Sequence, residues 1–273
     1  MEEDLSKMKR KILSFLTMLL MSSQLTAGDI ENAKTPEAKG LAIAIAADKA
    51  DEGWKDWSAT AKMILKNRQG QTSTREMRME ALEQEDDGDK RLIFFDSPRD
   101  VKGTAFLVYT HKKGNDDQWL YLPALRRVKR ISSNNKSGPF VGSEFAYEDL
   151  SSQEVEKYTY KYLKDEVVDG QDCYVIERYP EDRKSGYTKH IAWIDKKEFR
   201  SIKVEYYDRK DDLLKTFTAH NYKVYGDNFW RADRFSMVNH QTGKSTTLEW
   251  EDYQFTTGLS ESRFVSTRLK SLR

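Results

Sequence analysis

From residue 54 onward, apolar and polar side chains alternate with a period of two. Ala59, Ala61, Met63 and Leu65 alternate with Ser58, Thr60, Lys62 and Lys66. A turn sequence, Asn67-Arg68-Gln69-Gly70, follows, and the pattern returns with Met77 and Met79 set between Glu76, Arg78 and Glu80. That spacing predicts a long antiparallel hairpin. The same signal predicts strands over 91–96, 104–111, 118–122, 126–131, 156–167, 172–179, 189–194, 202–207, 213–225, 230–239 and 245–255. Turn residues recur between them, as at Asp169-Gly170 and Thr242-Gly243. So many strands in antiparallel succession predict a barrel or a strongly curved sheet. The irregular stretch from Ser132 to Ser143, rich in Ser, Asn and Gly, is expected to cross an opening of that sheet. The acidic run Glu85-Asp86-Asp87-Gly88-Asp89 is expected to be a solvated loop.

Two segments near the N-terminus break the pattern. Thr35-Pro36-Glu37 combines a capping hydroxyl, a proline suited to a first helical position and an acid facing the positive helix end. The helix is predicted to run to about Ala50. Its apolar residues, among them Leu41, Ala42 and Ile45, cover more than one narrow stripe, so it must be buried against something. Before it, Lys9-Arg10-Lys11 precedes an apolar run from Ile12 to Met21 and a small residue, Ala27, at a cleavage position. That order predicts a secretory signal peptide over residues 1–27, leaving 28–273 as one mature domain. The run falls short of the about 20 residues of a membrane span. Acidic Glu2-Glu3-Asp4 fits a signal poorly, which leaves Met1 and Met8 as alternative starts. No cysteine lies near the cut to accept a lipid anchor, so the mature chain is expected to be exported, soluble and periplasmic.

Composition narrows the function classes. Charged residues make up 33% of the chain, which places the body in water. Lys and Arg number 46 against 45 Asp and Glu, without the basic excess of a nucleic-acid binder. A membrane β-barrel is disfavoured because Lys62, Lys66, Glu76 and Arg78 would face lipid. The single cysteine, Cys173, excludes an intramolecular disulfide and is expected in a strand core. His111, His190, His220 and His240 show no metal-binding spacing. Neither a nucleophile elbow nor a glycine-rich phosphate loop is present. The sequence therefore predicts no catalytic residues, no metal and no cofactor.

The apolar strand residues say more. Met63, Leu65, Met77, Met79, Phe106, Val108, Trp119, Tyr121, Trp193, Val204, Tyr206, Phe235 and Met237 all occupy strand positions that could line an interior. Adaptable methionines and flat aromatics suit a pocket for variable acyl chains, and they equally suit a packed core. Arg126, Arg127, Lys129 and Arg130 form the sharpest basic cluster. It reads either as a contact for acidic headgroups or a partner, or as an exposed edge strand whose charges discourage further pairing.

Several stretches resemble the LolA-like family of outer-membrane lipoprotein-sorting proteins. They include Lys39-Gly40-Leu41-Ala42-Ile43 leading to Asp51-Glu52-Gly53-Trp54, Asn67-Arg68-Gln69-Gly70-Gln71 with Thr74-Arg75-Glu76, and Trp119-Leu120-Tyr121-Leu122-Pro123-Ala124-Leu125-Arg126. Gly142-Ser143-Glu144-Phe145-Ala146-Tyr147 and Trp193-Ile194-Asp195 extend the likeness. The resemblance implies an unclosed antiparallel β-barrel, a half-open cup with the 36–50 helix as plug and 139–150 as lid. It further implies a lipid-binding cavity, to which Leu41, Ile45, Phe140 and Phe145 would add. The implied role is a periplasmic carrier of lipid or acylated lipoprotein toward the outer membrane, with an inner-membrane lipid exporter as a candidate partner. The alternative is a sensor or adaptor docking a protein in the same cup. Arg75 and Arg99 are the candidates for the arginine that controls the lid in such carriers.

Overall fold

The structure is a computed structural model that describes residues 27–226 and 228–271. The predicted signal peptide thus lies outside the described residues, apart from Ala27. That residue opens a short helix, α1 (Ala27–Asn32). Helix α2 spans Pro36–Ala50, and the Ala38 amide donates to the Thr35 hydroxyl at 3.1 Å, the cap that the sequence predicts.

Thirteen strands follow: β1 (Asp56–Lys66), β2 (Thr72–Leu82), β3 (Lys90–Ser97), β4 (Ala105–Tyr109), β5 (Asp117–Leu122), β6 (Arg127–Ile131), β7 (Tyr158–Val168), β8 (Gln171–Pro180), β9 (Tyr187–Asp195), β10 (Ser201–Asp208), β11 (Leu213–Tyr225), β12 (Phe229–Asn239) and β13 (Ser245–Phe255). They form one antiparallel sheet in the order β6-β5-β4-β3-β2-β1-β13-β12-β11-β10-β9-β8-β7. Each half is a meander of sequential neighbours, joined where β1 pairs with β13, with Ala61 opposite Trp250 and Met63 opposite Leu248. β6 and β7 are left as the two edges. The sheet is a cup rather than a closed barrel, and the chain from β6 to β7 must travel between its two rims.

Alternation places one side of each strand in the cup. Met63, Met77, Met79, Ile93, Phe106, Ile176, Val204, Met237 and Leu248 belong to one continuous buried core. α2 closes part of this interior by packing on β7 and β8. Gly40 makes that approach possible: a Cβ there would lie 2.8 Å from the backbone of Lys161 and Tyr162. The tight turn between β7 and β8 has Asp169 and Gly170 both in the left-handed region (φ 49° and 77°), as predicted from the Asp-Gly pair.

The outer side of the sheet is covered in two places, and this corrects the parity read for three aromatic residues. Trp119 and Tyr121 do not face the cup; their neighbours Gln118 and Leu120 are the buried pair on β5. The two rings pack instead with Leu92, Phe94 and Leu107 under Phe264 and Leu269 of the C-terminal segment. The Tyr109 hydroxyl donates to the Phe264 carbonyl, and the Arg263 guanidinium grips the Glu80 carboxylate, fixing that segment in place. Trp193 likewise packs outside, with Cys173, Val175 and Ile202. Both faces of these strands are apolar, so alternation alone could not say which face pointed inward. Cys173 is fully buried, and burial pushes its thiol up to about 11. The basic cluster lies on and just before the edge strand β6: Arg126, Arg127, Lys129 and Arg130 are exposed, and Arg130 pairs with Asp117.

Candidate lipid-binding cavity

Residues 139–150 leave the β6 edge, enter the cup and return toward β7. Phe140 is fully buried there, its ring 5.1 Å from Phe106, 5.8 Å from Phe95 and 5.6 Å from Tyr147. The rest of the segment is tied down by polar contacts. Asp149 forms an ion pair with Lys215 at 2.6 Å, both side chains being only 4% exposed. Asp149 also accepts from the Tyr187 hydroxyl (2.8 Å) and the Ala146 amide (2.6 Å). Glu144 accepts from Asn239 (2.8 Å), and its amide donates to the Thr246 hydroxyl (2.9 Å). Of the two arginines singled out in the sequence, Arg75 reaches this segment and donates to the Val141 carbonyl, whereas Arg99 is exposed. Burial lowers the Arg75 pKa, which strengthens the demand that its protons be accepted.

Beneath and beside this segment lies a cavity of about 500 Å³, within the range of about 300–1,000 Å³ usual for small-molecule sites. Its apolar wall includes Met63, Met77, Met79, Phe140, Phe145, Val204, Tyr206 and Phe235 from the sequence-derived set. Phe106, Val108 and Met237 are fully buried in the core without reaching the cavity, and Leu65 is half-buried against that core and does not reach the cavity either. Ile45 is half-buried on α2, and Leu41 is 42% exposed and points away, a second correction. α2 contributes instead through Ala44, Ala47 and Ala50. Sequence reasoning missed the cluster of Trp54, Trp57, Trp250 and Tyr253 in the wall. Trp57 meets Trp250 edge-on at 6.5 Å and Tyr253 at 5.7 Å. Leu248 and Trp250 alternate on β13, and that parity was the available signal.

The rim is charged. The acidic loop expected to be solvated is only partly so: Glu85 and Asp86 are exposed, but Asp87 bonds His111 (2.6 Å) and the Lys112 amide (2.8 Å), and Asp89 accepts from Ser152 (3.0 Å). Gly88 is pressed against Thr110 and Glu154, which seats the loop on the rim. Glu154 is 6% exposed; burial, then repulsion from Asp89 and Asp48, raises its pKa from 4.5 to about 7. Because the folded value exceeds the unfolded one, the native state holds this proton more tightly. The associated stability is complete below pH 4.5 and is lost as pH rises through about 7. Glu154→Gln is therefore expected to remove about 1–3 kcal/mol of the fall in stability between pH 5 and 8, read from urea denaturation at the two pH values. An unchanged pH profile in the variant would contradict this assignment.

Among the described residues no group of three or more His, Cys, Asp or Glu is arranged to hold a metal, and no helix is long and apolar enough to cross a membrane.

A protein-family model carrying the description "Uncharacterized protein" matches residues 87–271. No curated protein matches the chain. Among solved structures, a domain described as outer membrane lipoprotein-sorting, from Vibrio parahaemolyticus, is 61% identical. It covers 85% of this chain and 98% of its own, with a TM-score of 0.84. A DUF1329 family protein from Desulfovibrio piger is 31% identical, covering 86% of this chain and 100% of its own, with a TM-score of 0.81. A LolA superfamily protein from Nitrosomonas europaea shares the fold at 21% identity and a TM-score of 0.65, covering 85% of this chain and 98% of its own. With relatives this similar over nearly their whole length, the chain has the LolA-superfamily fold and belongs to the family of the outer membrane lipoprotein-sorting domain and the DUF1329 protein.

Proposed function

We propose that this protein is a periplasmic carrier that buries lipid or lipoprotein acyl chains in the cup and delivers them toward the outer membrane. The observation that supports this most is the cavity of about 500 Å³, walled by methionines and aromatics and bridged by residues 139–150. Burying a hydrocarbon chain there gains about 0.8 kcal/mol per methylene taken out of water. Release then requires the bridging segment to move, and that movement must break its polar contacts with Arg75, Lys215, Tyr187, Asn239 and Thr246. The likeness to the domain described as lipoprotein-sorting in Vibrio parahaemolyticus supports this reading. No catalytic chemistry is assigned to the cavity.

Met77 is 3% exposed and lines the cavity beside Met63. Met77→Trp is expected to fill it and reduce binding of an uncharged fluorescent acyl probe at least about tenfold, since each 1.4 kcal/mol of lost burial is a factor of ten. Equal binding by the variant and the parent, with both folded by circular dichroism, would argue against acyl chains occupying this space. The cup would then be examined as the docking site of the adaptor reading, with pull-down of a stable protein partner as its sign.

A further inference from the structure

A polar row crosses the concave face. Tyr160 on β7 stands opposite Arg178 on β8, Arg178 opposite His190 on β9, and His190 opposite Tyr206 on β10. The row continues from Tyr206 to Lys215 on β11 and from Lys215 to Asn239 on β12. The bridging segment satisfies one end, where Asp149 pairs with Lys215 and Glu144 accepts from Asn239. Tyr160 donates to the Val155 carbonyl at 3.1 Å.

Arg178 differs from its neighbours in the row. Its Nε donates to Nδ1 of His190 at 3.0 Å, and its guanidinium lies 5.6 Å from the centre of the Tyr158 ring. Burial, with Arg178 and Lys215 nearby, holds His190 well below its ordinary pKa, so the imidazole is neutral and can accept. Among the described residues no carboxylate lies within ion-pair distance of Arg178, and its two Nη groups have no hydrogen-bond acceptor. The Tyr206 hydroxyl also lacks a partner among them, and both residues line the cavity. Arg178 is half-buried and lines the cavity, so its guanidinium offers an unshared positive charge and free donors to an anion that enters there. The flanking Asp149 cannot supply it, since Lys215 holds that carboxylate.

We infer that Arg178, with Tyr206 two strands further along the same row, is a subsite for the carboxylate or phosphate group of an amphiphile whose hydrocarbon tail occupies the methionine-lined part of the cavity. This rests on the acyl-carrier reading and narrows it to ligands with an anionic group near the chain. A guanidinium with two free Nη donors fits a two-oxygen anion, and charge-assisted hydrogen bonds of this kind are the strong ones.

The test compares a dansyl-labelled long-chain fatty acid with its methyl ester on the full chain by fluorescence titration. The parent protein is expected to bind the acid at least about tenfold more tightly than the ester, the equivalent of 1.4 kcal/mol. Arg178→Gln is expected to erase that preference, so that the acid binds no more tightly than the ester, and Arg178→Lys to restore part of it. Equal binding of acid and ester by the parent protein overturns the subsite and leaves the acyl carrier standing, a result that does not depend on any variant folding. Binding of neither probe overturns both. Displacement of the acid by millimolar inorganic phosphate overturns the amphiphile in favour of a free anion.

Discussion

Replacing Lys215 by methionine is expected to destabilise the folded protein by about 3–5 kcal/mol, the usual result of removing one partner from a buried ion pair. The argument rests on position. Lys215 and Asp149 are each 4% exposed and 2.6 Å apart, and the lysine also donates to the Glu144 carbonyl at 3.0 Å. Methionine keeps most of the stem volume, so the effect isolates the charge. Asp149 would retain the Ala146 amide and the Tyr187 hydroxyl, but two neutral donors do not replace a cation in a low-dielectric interior. Adding Asp149→Asn to the methionine variant removes the stranded charge and is expected to restore a large part of the loss. Urea denaturation gives the free energies, and the double variant turns them into a coupling energy. A single-variant cost below about 1 kcal/mol would mean that the pair is solvated, contrary to the geometry described.

Phe140→Ala is expected to cost about 3–5 kcal/mol, the range for truncating a buried phenylalanine. The ring is fully buried among Phe95, Phe106 and Tyr147, and no strand pairing holds its backbone apart from the isolated bridge between Pro139 and Ala146. The loss should therefore concentrate in the bridging segment, which can detach while the sheet stays formed. Amide hydrogen exchange is expected to accelerate across residues 139–150 and to change little in β1, β2 and β13. A bound acyl probe should also dissociate faster. Uniform acceleration across the sheet would show that Phe140 supports the whole fold and not a separable lid.

The architecture was legible in the sequence because period-two alternation marks each strand and the Thr35-Pro36-Glu37 cap marks α2. The opening was legible as well: the Ser/Asn/Gly-rich stretch after residue 131 is the point where the chain leaves the β6 edge. Sidedness was harder to read. β5 and β9 carry apolar residues on both faces, because Phe264 and Leu269 cover one strand's outside and Ile202 packs outside the other. The outer partner lies far along the chain, so Trp119, Tyr121 and Trp193 read inward until the cover is seen.

The polar row was hidden for a related reason. Arg178, His190, Tyr206 and Lys215 lie in four different strands and meet only through register. A faint trace existed, since Arg178 shares the parity of Ile176, and His190 that of Ala192. Polar residues at inward positions are the mark of a partner, which here the bridging segment provides for some and a ligand is proposed to provide for Arg178. The acidic loop at 85–89 misled in the same way. Its charges look solvated in sequence, yet Gly88 lets the backbone press against Thr110 and brings Asp87 and Asp89 onto the rim.

The occupied cup is the claim on which the rest depends, and native mass spectrometry of protein gently isolated from its own cells tests it most directly. The expected spectrum shows, beside the bare chain, a species heavier by one acyl-bearing molecule, released on activation and absent from Met77→Trp. A spectrum of bare chain alone, from parent and variant alike and under conditions that preserve other lipid complexes, would contradict the account.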